Sequence, residues 1–373
     1  MRVGAKILCS VVLALALACG DDDDPQSDDL TDTGSGLLPT PLNPVFGSNN
    51  DAYGAIGTGD LMASGLSGAG VDVCIVDTGL DANHPGFAHV FARGGVRFRD
   101  FTAEASGSPI DTNGHGTHVA GIVAMYGELS GGAPNVNLLI ARVFTADGGA
   151  DVITIANAVD WCRTEGADII SMSLGGLALP GIEELLQQDP SASEAAVQNA
   201  LDAGIYVVAA AGNTELARDV ATPAGVDGVI AVGALDSDLE TKASFSQSGV
   251  NDGGVVLDSR QDPDRKPELS APGVSIVSAM ASGSSLAGDV EGCASVDYCA
   301  LNGTSQATPF VTAILALVLE AEPELKPETQ NGVAALKTVL SQNATLLPGQ
   351  SEPHDDGVGY GRVSGIQILE ALQ

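Results

Sequence analysis

Five apolar runs constrain what this chain can fold into. "VDVCIVD" (71–77), "VNLLIARVF" (136–144), "ADIISMSL" (167–174), "GIYVVAAAG" (204–212) and "GVIAVGAL" (228–235) are almost continuously apolar. Short runs of this kind are the pattern of strands covered on both faces. Between them lie periodic stretches such as "DVITIANAVDWCRTEG" (151–166) and "SEAAVQNALDAG" (193–204). Each begins at Asp or Ser and ends at Gly, as helices do. The alternation predicts an α/β protein: three layers, α/β/α, around a mainly parallel sheet. With 373 residues, 44% of them hydrophobic, the chain can fill one such large domain, expected over 51–373. Ligands in these sheets bind beyond the carboxyl ends of the strands. Asp77 and Asn213 both fall at such ends.

The N-terminus reads differently. "MRVGAKILCSVVLALALAC" has a basic start at Arg2 and Lys6, an apolar stretch from Ile7 to Ala18, and small residues before Cys19. Residues 1–18 therefore read as a signal peptide. Cys19, followed by "GDDDDPQSDD", resembles the lipidated cysteine of bacterial lipoproteins, which predicts an exported protein held on a membrane of the cell envelope by acyl chains. Ordinary cleavage and secretion is the alternative. Residues 19–50 are rich in Asp, Gly, Pro, Ser and Thr and read as an acidic disordered tether.

The formal charge is -33. Removing residues 1–32 takes away two positive and seven negative charges and still leaves -28. Such a chain is a poor partner for nucleic acid. The acidity serves solubility or gives a cleft that attracts basic peptides. Cys293 and Cys299 share one small loop, "GCASVDYCA", and are expected to form a disulfide in an exported protein. Cys74 and Cys162 lie in apolar segments and read as small buried hydrophobes.

Three segments carry chemistry: "VDTGLDANHPGF" (76–87), "DTNGHGTHVAGIVAM" (111–125) and "LNGTSQATPFVTAILALVLE" (301–320). Asp77-Thr78-Gly79 has a second copy at Asp32-Thr33-Gly34, which raises the possibility of a carboxylate pair sharing a proton. Asp32 lies in the tether with no apolar strand before it, so that pairing is rejected. His115 and His118 have a metal-pair spacing, but no Glu stands between them as a base. Ser305 opens an apolar helix, where it can serve as an N-cap or as a nucleophile beside the positive helix end. A serine nucleophile needs a base, and the base needs an orienting partner.

The order Asp, His, Ser matches one of the three known chain orders of the serine-protease triad, that of subtilisin. With "SMSLGG", "VVAAAGN", "VIAVGA" and "LSAPG", the three segments resemble those of the subtilases, the subtilisin-like serine proteases, from about Tyr53 onward. The resemblance implies that Ser305 attacks the scissile carbonyl, His115 transfers the proton, and Asp77 orients His115. It implies that Asn213 donates to the oxyanion and that Ser173, Leu174 and Gly175 pair with the substrate backbone. The expected function is peptide hydrolysis through an acyl-enzyme, by a monomer acting on peptide or protein substrates. A catalytically silent binding protein, or an acyl-transfer enzyme on the same triad, are the alternatives.

Four departures from the family pattern stand out. Only 57 residues separate Cys19 from Asp77, too few for a standard folding prodomain. Gly86 replaces the Asp of a common calcium-binding pattern, which weakens the case for the usual calcium site; no cofactor is expected, with calcium as the alternative. Gln306 follows the nucleophile where Met is usual, which removes an oxidation-prone sulfur. Phe310 stands where His is usual.

Overall fold

Seven strands, all paired in parallel, form the central sheet of a computed structural model of the chain, in the order β2-β3-β1-β4-β5-β6-β7. The structure describes residues 46–373 except 146–148, 176–190, 215–218, 253–258, 291–292, 294–296, 327–329 and 351–352. The signal segment, most of the tether and Cys19 lie outside the described residues. The strands are β1 (Asp72–Asp77), β2 (Val96–Asp100), β3 (Asn137–Arg142), β4 (Ile169–Met172), β5 (Tyr206–Ala210), β6 (Ile230–Leu235) and β7 (Leu269–Pro272). A separate antiparallel hairpin joins β8 (Ile276–Ala279) to β9 (Tyr298–Leu301). The helices are α1 (Asn50–Ala55), α2 (Thr58–Ala63), α3 (Ala88–Ala92), α4 (His115–Ala124), α5 (Val152–Thr164), α6 (Ser191–Asp202), α7 (Ser285–Asp289), α8 (Thr304–Ala321), α9 (Gln330–Gln342) and α10 (Gly365–Leu372).

All five apolar runs are strands, and the two periodic stretches are α5 and α6. Asp151 caps α5 by accepting from the N–H groups of Ile153 and Thr154. The sheet register shows that both faces are covered. Cys74 pairs with Ile170 and Ile75 with Ser171 on the neighbouring strand. Cys74 is bonded to Cys162 of α5, whereas the Ser171 hydroxyl accepts from Thr312 of α8. Successive strand residues point to opposite faces, so α5 and α8 lie on opposite sides of the sheet. Asp77 shares the parity of Ile75 and belongs to the α8 side.

The Cys74–Cys162 disulfide corrects the reading of these two residues as free core thiols. Both are fully buried, as expected. They are also bonded, with Cα atoms 5.8 Å apart, because α5 lies across β1. Their separation of 88 residues hid that contact. Cys293 and Cys299 are bonded as expected.

β2 escapes the apolar pattern because "VRFRD" is no apolar run; it is a half-covered edge strand. Phe46 is buried and its ring stacks on Tyr53, centroids 4.1 Å apart. Packing therefore extends N-terminal of residue 51. Phe310, the family departure in α8, meets the edge of Tyr53 at 4.7 Å, so the apolar ring fills the contact between α8 and α1.

Candidate active site

The site is built along the carboxyl edge of three neighbouring strands. β1, β4 and β5 are adjacent in the sheet, and β1 is the strand at which the chain order reverses, the place where such sheets open a crevice. Asp77 ends β1, Ser173 follows β4, and Asn213 follows β5.

His115 is the first residue of α4. Its Nδ1 lies 2.8 Å from Asp77 Oδ1 and 3.1 Å from Oδ2, and both side chains are buried. Asp77 Oδ1 also accepts from the Thr78 N–H at 2.7 Å. Burial by itself would lower the His115 pKa. The Asp77 charge and hydrogen bond, with the Asp111 charge behind them, outweigh burial and hold it above the ordinary histidine value.

The first turn of α4 presses on the end of β1. A side chain on Gly116 would begin 2.4 Å from the Gly79 carbonyl oxygen, so only glycine permits this approach. Asp111 organises the same turn. Its Oδ1 accepts from the N–H groups of Asn113 and Gly114 and from the Thr78 hydroxyl, and its Oδ2 accepts from the Thr117 N–H and hydroxyl. Thr78 in turn accepts from the Gly116 N–H at 2.7 Å. Arg142, fully buried at the end of β3, donates through Nε to the Thr78 carbonyl at 3.2 Å and pairs with Asp100 at 2.8 Å. Asp111, Thr78 and Arg142 were assigned no role from sequence. Asp111 stood in plain view as the first residue of its segment, and its position ahead of a helix start was the signal.

Ser305 lies in the first turn of α8 and is tied to the end of β4 in both directions. Its hydroxyl donates to the Ser173 carbonyl at 3.1 Å, and the Ser173 hydroxyl donates to the Ser305 carbonyl at 2.8 Å. The serine proton is thus directed at a backbone oxygen, and a turn about χ1 would redirect it. Asn213 Oδ1 accepts from the Thr304 N–H at 2.8 Å and the Thr304 hydroxyl at 2.9 Å. Two donors on the oxygen fix which end of this carboxamide is Nδ2. Leu174 is buried, and a side chain on Gly175 would begin 2.7 Å from the Ala221 methyl group.

His118 and His115 diverge. His118 is fully buried, with Nε2 at 3.1 Å from the Ile276 carbonyl and 3.0 Å from that of Cys299. Burial pushes its pKa down to about 3, so it is a neutral tie between α4 and the β8–β9 hairpin. At Gly86 an added side chain would begin 3.1 Å from His84 Nδ1 and 3.3 Å from the Met125 Cβ, so these neighbours would have to yield by a few tenths of an ångström to admit one. Among the described residues no group of three His, Cys, Asp or Glu side chains is placed to hold a metal ion.

A parallel sheet with a buried Asp–His pair and a serine at a helix start defines a subtilisin-like α/β protein. The subtilase family profile matches residues 68–361, and the chain belongs to the subtilase family. It is 38% identical over 285 residues to serine protease AprX of Bacillus subtilis, a match covering 70% of this chain and 60% of that protein. Subtilisin DY of Bacillus licheniformis is 36% identical over 295 residues, covering 77% of this chain and 88% of the relative. Among solved structures, a cold-adapted subtilisin-like serine proteinase superposes with a TM-score of 0.59 at 28% identity, covering 81% of this chain and 90% of the other. The prenylagaramide maturation protease PagA gives the same TM-score at 25% identity, over 81% and 94%. The family and these relatives support serine endopeptidase activity.

Proposed function

We propose that the protein is a serine endopeptidase in which Ser305, His115 and Asp77 act in sequence. The observation that carries this reading is the buried hydrogen bond from His115 to Asp77, at the end of the strand next to β4, beyond whose end Ser173 is hydrogen-bonded to Ser305. With Nδ1–H donated to Asp77, the neutral ring keeps Nε2 as its basic atom. After a χ1 turn, Ser305 Oγ bonds to the scissile carbonyl carbon as its proton passes to Nε2. The π electrons of the carbonyl move onto oxygen, where Asn213 Nδ2 and the Ser305 N–H donate to it. Collapse breaks the C–N bond, and the imidazolium gives its proton to the leaving amine. A water then repeats the sequence on the acyl-enzyme and releases the acid. Ser173–Gly175 would pair with the extended substrate as an added strand.

Export with a lipid anchor at Cys19 belongs to the same proposal and rests on the residues before and after that cysteine. A fluorophosphonate probe tests the chemistry. Wild-type protein is expected to be labelled and Ser305→Ala is not. Absence of labelling in well-folded wild-type protein would refute the nucleophile. The masses of digestion products distinguish hydrolysis from acyl transfer.

The His115 environment adds a pH prediction. The base must be neutral, so activity is present above its pKa and lost as pH falls through it. Because that pKa is raised, the acid limb of kcat/KM is expected above the ordinary histidine value of about 6.5. The stability effect has the opposite direction: the contribution of the Asp77–imidazolium pair is full below the unfolded-state pKa and is lost as pH rises through the folded one. A profile whose acid limb lies below pH ~6 would contradict the assignment.

A further inference from the structure

We infer that the carboxamide of Gln306 is a third donor to the oxyanion, beyond Asn213 and the Ser305 N–H. The inference rests on the proposed role of Ser305. Gln306 follows Ser305 in the first turn of α8 and is 1% exposed. Its Nε2 is buried and has no hydrogen-bond partner among the described residues. A buried amide N–H without a partner is costly and calls for an explanation.

The surroundings supply one. Residue 303 is glycine, so the point where its Cβ would lie holds no side chain. That point is 2.7 Å from Gln306 Oε1, 3.5 Å from Asn213 Nδ2 and 3.6 Å from the Ser305 nitrogen. The Gln306 carboxamide therefore borders the same small volume as both proposed oxyanion donors.

Its oxygen and nitrogen exchange places by a half-turn about χ3, a broad two-fold torsion. In this arrangement the oxygen lies beside Gly303 and the nitrogen is unpaired. Negative charge on the substrate oxygen repels the amide oxygen and attracts the N–H. The half-turn then brings Nε2 to the pocket and breaks no bond that Nε2 was making. The donor is engaged as charge develops and not in the ground state, so its benefit falls on kcat and not on KM. A methionine of similar length fills the space but offers no donor.

The test compares wild type with Gln306→Met and Gln306→Leu, using a peptide substrate and a peptidyl trifluoromethyl ketone, whose serine adduct carries an oxyanion. Both variants are expected to lose roughly ten- to a hundredfold in kcat, the scale of one hydrogen bond to a charged group, and a similar factor in ketone affinity, with KM unchanged. Wild-type kcat and ketone affinity in either folded variant would overturn the inference. So would a loss confined to KM, or a fall in kcat with no change in ketone affinity, because a packing role gives that result. If wild-type protein neither turns over substrate nor takes the fluorophosphonate, the Ser305 reading fails. If wild type is active and the variants match it, only the Gln306 role fails.

Discussion

Asp77→Asn is expected to lower kcat by about four orders of magnitude while the protein stays folded, the loss measured when the carboxylate of a serine-protease triad becomes an amide. The contacts at this residue explain why. Asp77 Oδ1 accepts both from the Thr78 N–H and from His115 Nδ1. An asparagine has one oxygen and one NH2 group. With its oxygen kept on the Thr78 N–H, its NH2 takes the place of Oδ2, 3.1 Å from Nδ1, where a donor favours the tautomer whose Nδ1 accepts. The ring proton then sits on Nε2, which can no longer take the serine proton. Residual activity should also lose the raised acid limb, because the charge that holds the His115 pKa up is gone. Steady-state kinetics with thermal melting checks this. A folded variant with near-wild-type kcat would remove Asp77 from the mechanism.

Asn213→Ala is expected to cost about 10²–10³ in kcat with KM little changed, the range measured for loss of the oxyanion asparagine in subtilisin. The substitution also removes the acceptor for Thr304, so a second variant separates the effects. Asn213→Asp keeps an oxygen for the Thr304 N–H and hydroxyl but replaces the proposed donor by an acceptor. If the loss comes from the missing donor, the aspartate variant stays as slow as the alanine variant. Recovery of kcat in Asn213→Asp would instead show that Asn213 acts by holding Thr304.

Much of this molecule was legible in its sequence because apolar periodicity and strand order are local signals. The runs ending at Asp77 and Gly212 specified buried parallel strands, and their carboxyl ends carry Asp77 and, just beyond, Asn213. What stayed hidden depends on contacts between distant segments. Lys266 and Lys337 would be placed on the surface by composition alone. Both are buried, and both donate to Glu268 Oε1 at 2.7 Å. Both also donate to the Val229 carbonyl, so their burial needs three segments that only the fold brings together. Asp111 was hidden for the same reason: its carboxylate binds its own helix and Thr78 on another segment. In the sequence Gln306 shows only the sulfur it lacks, while its unpaired nitrogen emerges only from the packing around Gly303.

The Cys74–Cys162 bond closes the chain between them into a covalent ring. Asp77 and His115 lie inside that ring, and the exposed stretch around residues 103–109 is part of it. A protease lives among copies of itself, and exposed loops are where chains are nicked. A single cut in the 103–109 stretch leaves Asp77 and His115 on opposite sides of the break but still joined through sulfur. The ring therefore keeps the two pieces of a molecule cut there covalently joined, with Asp77 and His115 on one covalent assembly.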